Sequence, residues 1–299
     1  MSRVERRKLW LGLAFASPWI LGFLLFTLYP MIASAYYSLT FFNVVKPPSF
    51  IGLENYIHLF TQDKLLYKAL LNTLYVTVFI NPASLAFGFL CASLLNFKVR
   101  GQAIYRTLYI LPIVMPGVAT GVLWRWLMNP NVGLFNTILG YVGIRGPAWW
   151  ASPEWAKPSL IIMELWLNGI VTIIYLAGLQ GIPQELYESA ELDGAGRLRK
   201  TWHITIPMVS GVTLFNLVTG LIWSFQLFTE PFVIAGVSGN PQLSMLFYSV
   251  YLYANAFKYL KMGYASAMAW ILFFVVLAVT YLTLRWSRTW AHYDVSAGG

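Results

Sequence analysis

The run Pro183-Gln184-Glu185-Leu186-Tyr187-Glu188-Ser189-Ala190-Glu191-Leu192-Asp193-Gly194-Ala195-Gly196-Arg197-Leu198-Arg199-Lys200-Thr201-Trp202-His203-Ile204-Thr205-Ile206-Pro207 is a charged loop between two long apolar stretches. Pro183 suits the start of a helix, and Glu185 sits where the helix dipole favours negative charge. Leu186, Ala190 and Asp193 follow at helical spacing, and Gly194 is a natural stop. A second short helix is expected from Ala195 to Ile204, ending at Pro207, with Arg197, Arg199 and Lys200 opposite in sign to the acidic first helix. Small residues at the turn let another surface come close. The run is thus expected to be a docking surface for a soluble partner, against the plainer reading of a solvated loop. A DNA-reading helix pair is improbable beside membrane spans.

Outward from this loop the chain is apolar. Of 299 residues, 58% are hydrophobic and 10% charged, against roughly 25% charged in soluble domains. So few charges cannot cover a water-soluble fold of this size, and lipid is implied as solvent. A helical span needs about 20 mostly apolar residues. Six stretches qualify, at about 9–39, 69–96, 103–128, 158–179, 208–236 and 264–286. The first is too long for one straight span and should continue as a helix beyond the membrane. It is no signal peptide, because its apolar region is too long and no small-residue cleavage site follows. Asn81-Pro82 lies inside the second stretch, and Pro112 and Pro116 inside the third. Each proline reads most simply as a kink. The region after Gly239-Asn240-Pro241, with Met245, Tyr248, Tyr251, Leu252 and Phe257, is expected to lie as a short helix along the interface.

The net charge is +9, but its distribution argues against nucleic acid. Basic residues fall in small groups at span ends: Arg3, Arg6, Arg7 and Lys8; Lys98, Arg100 and Arg106; Arg197, Arg199 and Lys200; Arg285 and Arg288. This positive-inside pattern places both termini and the 181–207 loop in the cytoplasm. Cys91 is the only cysteine and reads as a small buried hydrophobe. His58, His203 and His292 show no ligand spacing, so no metal site is expected.

The pattern Glu188-Ser189-Ala190, then Gly194, then Ile204-Thr205-Ile206-Pro207 resembles the EAA loop of binding-protein-dependent ABC importer permeases. The family form is Glu-Ala-Ala, three residues, Gly, nine residues, Ile-x-Leu-Pro. The spacing matches throughout, with departures at Ser189 and Ile206. Further similarity lies in Phe50-Ile51-Gly52-Leu53-Glu54-Asn55-Tyr56, Leu71-Asn72-Thr73, Trp124-Arg125-Trp126, Ala177-Gly178-Leu179-Gln180 and Gly263-Tyr264-Ala265-Ser266-Ala267. It covers nearly the whole chain and is closest to the maltose-type, carbohydrate-uptake branch.

The resemblance implies an all-α membrane protein: one permease domain, 1–299, with six transmembrane helices, the type I ABC importer fold and a cytoplasmic EAA coupling helix. It implies a second permease subunit in a heterodimer, a cytoplasmic ABC ATPase dimer and an extracytoplasmic solute-binding protein, in a prokaryotic inner membrane. The chain itself has no Gly-x4-Gly-Lys loop, so ATP is expected on the partner ATPase and no cofactor on this chain. Carried over to this sequence, the ATPase-coupling residues are Glu188, Ser189, Ala190, Asp193, Gly194, Arg197, Ile204 and Pro207.

For the solute, polar groups inside spans are the better evidence, since lipid makes them costly. Span four holds Glu164, Trp166, Asn168 and Thr172. In span five, Asn216, Thr219 or Gly220, Trp223, Gln226 or Leu227, and Glu230 recur at helical spacing as one polar-aromatic face. In maltose-type relatives the sugar contacts come from the middles of these spans, implying Trp166 to Ile170 with Gly220, Trp223, Ser224 and Leu227. Contact with the partner permease would need the same residue types, and both readings stand.

A sugar or oligosaccharide is the expected cargo. Glycerol phosphate is the alternative, with Arg125 as the one candidate cation. A membrane-embedded transferase lacks convergent carboxylates or histidines. A secondary transporter would want broken helices in repeated halves, and unbroken spans are expected.

Overall fold

The structure, a computed structural model, describes residues 3–291; His292 and the rest of the C-terminal tail lie outside them. Helices dominate, and the described residues form one two-stranded antiparallel pair, Thr40–Phe41 with Ser49–Phe50. The chain divides into two compact units, Met1–Asp63 with Leu252–Phe273, and Lys64–Tyr251 with Phe274–Gly299.

In the first unit one continuous helix runs Arg3–Ser38. At 1.5 Å per residue it is about 54 Å long, well beyond a hydrocarbon core of about 30 Å. Pro30 removes one donor from the ladder. The helix adapts by widening to a π turn over Leu24–Leu28, where the Tyr29 N–H reaches the Leu24 carbonyl. The Gly52-to-Tyr56 motif then ties down the end of this helix. Gly52 turns the chain at φ +63°. The Asn55 amide donates to the carbonyls of Ser38 and Thr40 at 2.9 Å each, and the Tyr56 hydroxyl donates to Ser38 Oγ at 2.8 Å. Gly263 closes the same corner: a Cβ there would lie 2.1 Å from the Thr40 carbonyl oxygen.

In the second unit the helix Lys64–Leu95 runs unbroken through Pro82. The expected third and fourth spans do not. Gln102–Val114 and Gly117–Leu127 meet at 99°, because Met115 and Pro116 are both extended (ψ 133° and 134°), a conformation that Pro116 imposes on the residue before it. Pro153–Trp166 and Gly169–Gln180 meet at 46° across Leu167-Asn168. Unbroken spans are thus the wrong expectation at both places. The fifth stretch is helical over Ser210–Phe225, irregular at Gln226, Leu227 and Phe228, and helical again over Thr229–Ala235. The last helix, Met262–Ser287, is continuous.

By length and composition four helices can cross a membrane, and up to six if each bent pair counts as one span. The stretch expected at the interface packs inward instead. Met245, Tyr248 and Tyr251 are buried, while Phe257 remains exposed.

Specific contacts fix the helix directions within this unit. Lys157 bonds Asn72, Asn168 bonds Ser84, and Val171 sits against Gly88. Ascending numbers pair with ascending numbers, so Lys64–Leu95 and Pro153–Gln180 run parallel. Tyr175 bonds Thr213, Gly178 meets Val212, and the Asn216 amide faces the Val171 carbonyl, so Ser210–Phe225 runs antiparallel to Gly169–Gln180. A buried cluster of Ala92, Tyr175, Leu176, Leu179, Ile182 and Val209 joins the three helices at the end from which the 183–207 loop projects.

Candidate functional site

The first helix of the loop spans Gln184–Leu192 and has no buried residue. Gly194 follows at φ +76°, its N–H donating to the Glu191 carbonyl and the Ala195 N–H to that of Ala190, at 3.0 and 2.8 Å. This double closure is a Schellman motif, which needs the left-handed residue that glycine supplies without strain. A Cβ on Gly194 would meet nothing within 4 Å, so space beside the turn is open.

The second helix differs from expectation. It begins at Arg197 with Gly196 as its cap, and it does not stop at Ile204. A π turn over Thr201–Thr205, closed by the Ile206 N–H on the Thr201 carbonyl, carries it through Pro207 to Met208. The physical device is the one used before Pro30: a wider turn absorbs the donor that proline lacks.

The two short helices are joined across the turn. Lys200 Nζ contacts the Glu191 carboxylate, and this charge-assisted bond holds the Glu191 carboxyl below its usual range. The Tyr187 and Thr205 hydroxyls meet at 3.0 Å. Ile182 belongs to the buried cluster, with Tyr187 and Ile204 packed against it. The loop is therefore anchored to the helix core at its base. Its far side presents Glu188, Ser189, Asp193, Arg197 and the apolar Leu192, Leu198 and Trp202 to the surroundings, with Leu192 91% exposed.

The span-four and span-five residues separate into two groups. Asn168 is buried and docks on the parallel helix: its amide donates to the Ser84 carbonyl at 2.7 Å, and the Ser84 hydroxyl donates to Asn168 Oδ1 at 2.5 Å. Ser224 is buried and accepts from the Asn81 amide at 3.0 Å. Gly220 lies beneath the same side chain, where a Cβ would stand 2.5 Å from Asn81 Oδ1. Leu227 is buried as well. Thr219, Trp223 and Gln226 are exposed on the other side, with Trp223 46% exposed. The single face expected from Asn216 to Glu230 is therefore two faces, and the irregular turn at Gln226 removes Glu230 from both.

Glu230 instead faces Gly117, the first residue after the 99° break, where a Cβ would lie 2.8 Å from its carboxyl oxygen. Glu164 is buried, and its Oε1 has no hydrogen-bond partner among the described residues. Trp166 stands edge-on to Trp124 at 5.8 Å, at one end of an aromatic chain continuing through Phe135 and Trp149 to Trp155. Asn81 and Ser84 organise these contacts, yet the sequence marks Asn81 only by the neighbouring proline and Ser84 by nothing.

Broken and continuous apolar helices around a buried polar seam, with an exposed charged helix pair at one end, define a multi-pass α-helical membrane protein. Residues 84–290 match the model of the family described as "Binding-protein-dependent transport system inner membrane component". The chain belongs to that family, the permease subunits of ABC transporters.

It is 39% identical over 295 residues to the probable ABC transporter permease protein YesP of Bacillus subtilis, covering 98% of this chain and 95% of that one. It is 32% identical to the arabinooligosaccharides transport system permease protein AraP of the same species, covering 91% and 87%. Among solved structures it matches a chain of a bacterial alginate ABC transporter in complex with alginate pentasaccharide-bound periplasmic protein, at TM-score 0.83 and 25% identity, covering 95% of this chain and 96% of that one.

Proposed function

We propose that the whole chain, 1–299, is one permease domain of an ATP-driven importer of a sugar or oligosaccharide. Six spans form its part of the pathway, and the Gln184–Leu192 helix couples it to a cytoplasmic ATPase. One observation carries the coupling role: an acidic helix closed by a left-handed glycine, with open space beside the turn and an anchored base. Glu188, Ser189, Ala190, Asp193, Gly194 and Arg197 form the contact surface, and Ile204 and Pro207 join it to the fifth span. ATP is bound and hydrolysed by the ATPase dimer and not by this chain. A second permease completes the pathway as a heterodimer, and an extracytoplasmic binding protein delivers the solute. The carbohydrate reading draws on what the relatives' names and titles say of them, arabinooligosaccharides for AraP and alginate for the crystallised transporter.

Six crossings are supported by helix direction. Two parallel spans in one unit require an odd number of crossings between them, and the bent pair Gln102–Leu127 supplies that one. The basic residues Lys98, Arg100, Arg106 and Arg197 to Lys200 then share the end that carries the loop. This supports a cytoplasmic loop and cytoplasmic termini.

Glu188→Lys is expected to abolish uptake in proteoliposomes holding the complete transporter, with membrane insertion and permease pairing unchanged. Normal uptake by a properly assembled variant would remove the coupling role. Of the pathway residues, Trp223 and Gln226 on the open face are the candidates for touching solute, with Trp166 beside the aromatic chain. Asn168, Gly220, Ser224, Leu227 and Glu230 shape the seam behind them. Trp223→Ala is expected to lower sugar uptake severalfold more than sugar-independent ATPase activity. Equal loss of both would assign Trp223 to packing.

A further inference from the structure

At the end of the second unit remote from the coupling loop lies a cleft of about 420 Å³, lined by Arg125, Asn129, Pro130, Trp150, Ile234 and Asn240 among others. It falls in the size range of small-molecule sites. Trp150 forms one fixed wall, because its indole N–H donates to the Trp124 carbonyl at 3.2 Å. Pro130 and Ile234 add apolar edge.

The polar groups are unevenly matched. Asn129 Oδ1 accepts the backbone N–H groups of Asn131 and Val132 at 2.9 and 3.2 Å, which leaves its amide donors turned to other partners. Arg125, in the last turn of Gly117–Leu127, makes no ion pair among the described residues and is exposed. Among the described residues, no acidic side chain lines the cleft. The cleft thus sets an exposed guanidinium, without an ion-pair partner among the described residues, beside a fixed aromatic face. A fork of guanidinium N–H groups matches a planar carboxylate or a sulfonate through two parallel charge-assisted bonds, which a neutral hydroxyl cannot form.

We propose that this cleft is an entry subsite for acidic saccharides, with Arg125 holding the carboxylate or sulfonate, Trp150 stacking on a sugar ring and Asn129 and Asn240 bonding its hydroxyls. This rests on the carbohydrate reading above and narrows it to anionic cargo.

The test is uptake by the complete transporter in proteoliposomes, using a β-1,4 trimer of mannuronate and its carboxyl-reduced counterpart, mannotriose. In the wild type the acidic trimer is expected to be preferred. Arg125→Gln should lower the acidic-to-neutral uptake ratio about tenfold, the worth of one charge-assisted contact. Arg125→Lys, which keeps the charge without the fork, should fall between. Because Arg125 is exposed and unpaired, neither change should alter expression or melting temperature. An unchanged ratio overturns the proposal. So does an equal fall for both trimers, which would make the cleft a contact for an acidic patch of the binding protein. Import of mannotriose alone overturns it while leaving the carbohydrate reading intact. Failure to import any saccharide defeats that reading itself.

Discussion

Gly194→Asn is expected to leave the protein folded and inserted while lowering coupled uptake about a hundredfold, the loss typical when a central interface contact is removed. The choice of asparagine separates two roles that glycine combines. At φ +76° an ordinary side chain costs about 1–2 kcal/mol, whereas asparagine enters the left-handed region readily. The Schellman bonds from Gly194 to Glu191 and from Ala195 to Ala190 can therefore persist. Within this chain a Cβ at position 194 has nothing to strike. Any loss of uptake must then come from a surface that approaches the turn from outside. Gly194→Val serves as the contrast. It strains the backbone, and should loosen the turn even in the isolated chain. If Gly194→Asn imports at the wild-type rate while Gly194→Val does not, the glycine is needed for chain geometry alone, and the close approach of an ATPase at this turn is excluded.

The first helix of the 183–207 loop was legible in the sequence because its information is local. A proline start, an acidic first turn and a glycine stop act over a few residues, and the helix Gln184–Leu192 with Gly194 beyond it follows from them. The spans were legible because apolar length is summed along the chain. What could not be read was decided by contacts distant in sequence. The break at Leu167-Asn168 carries no proline signal; Gly169 follows it, but the angle is held by Asn168 on Ser84, 84 positions away.

Prolines gave only partial warning elsewhere. Pro82 lies inside a straight-through helix, where the Asn81 amide donates to the Thr77 carbonyl, while Pro116 accompanies a 99° turn. The same residue type has opposite outcomes because the residue before Pro82 stays helical, whereas Met115 before Pro116 is extended. Helical spacing in span five grouped Asn216, Gly220, Trp223 and Glu230, but spacing cannot reveal that the helix ends at Phe225. It also cannot say which side of the helix meets Asn81.

That last contact sets the second large effect. Gly220→Leu is expected to lower stability by about 3 kcal/mol or more, as overpacking of a close interface does at its upper end, and to reduce the amount of assembled protein recovered from membranes. The displaced neighbour would be the Asn81 carboxamide, 2.5 Å from the new Cβ. A side-chain end can usually swing aside, but this one is tethered by its amide to the Thr77 carbonyl at 2.7 Å and to Ser224 Oγ at 3.0 Å. Moving it breaks both bonds, each worth about 1 kcal/mol, in a setting where lipid offers no replacement partner.

Gly220→Ala meets the same amide with a smaller group. Its helix propensity gain of about 1 kcal/mol offsets part of the cost, so its net loss should be near 1 kcal/mol. Removing the obstacle should restore tolerance: Asn81→Ala with Gly220→Ala should melt higher in detergent than the two single losses add to, a coupling of about 1 kcal/mol or more. If the two changes are additive, Gly220 does not act through Asn81. If Gly220→Ala leaves melting unchanged and lowers sugar uptake, position 220 belongs to the open pathway and not to the seam behind it.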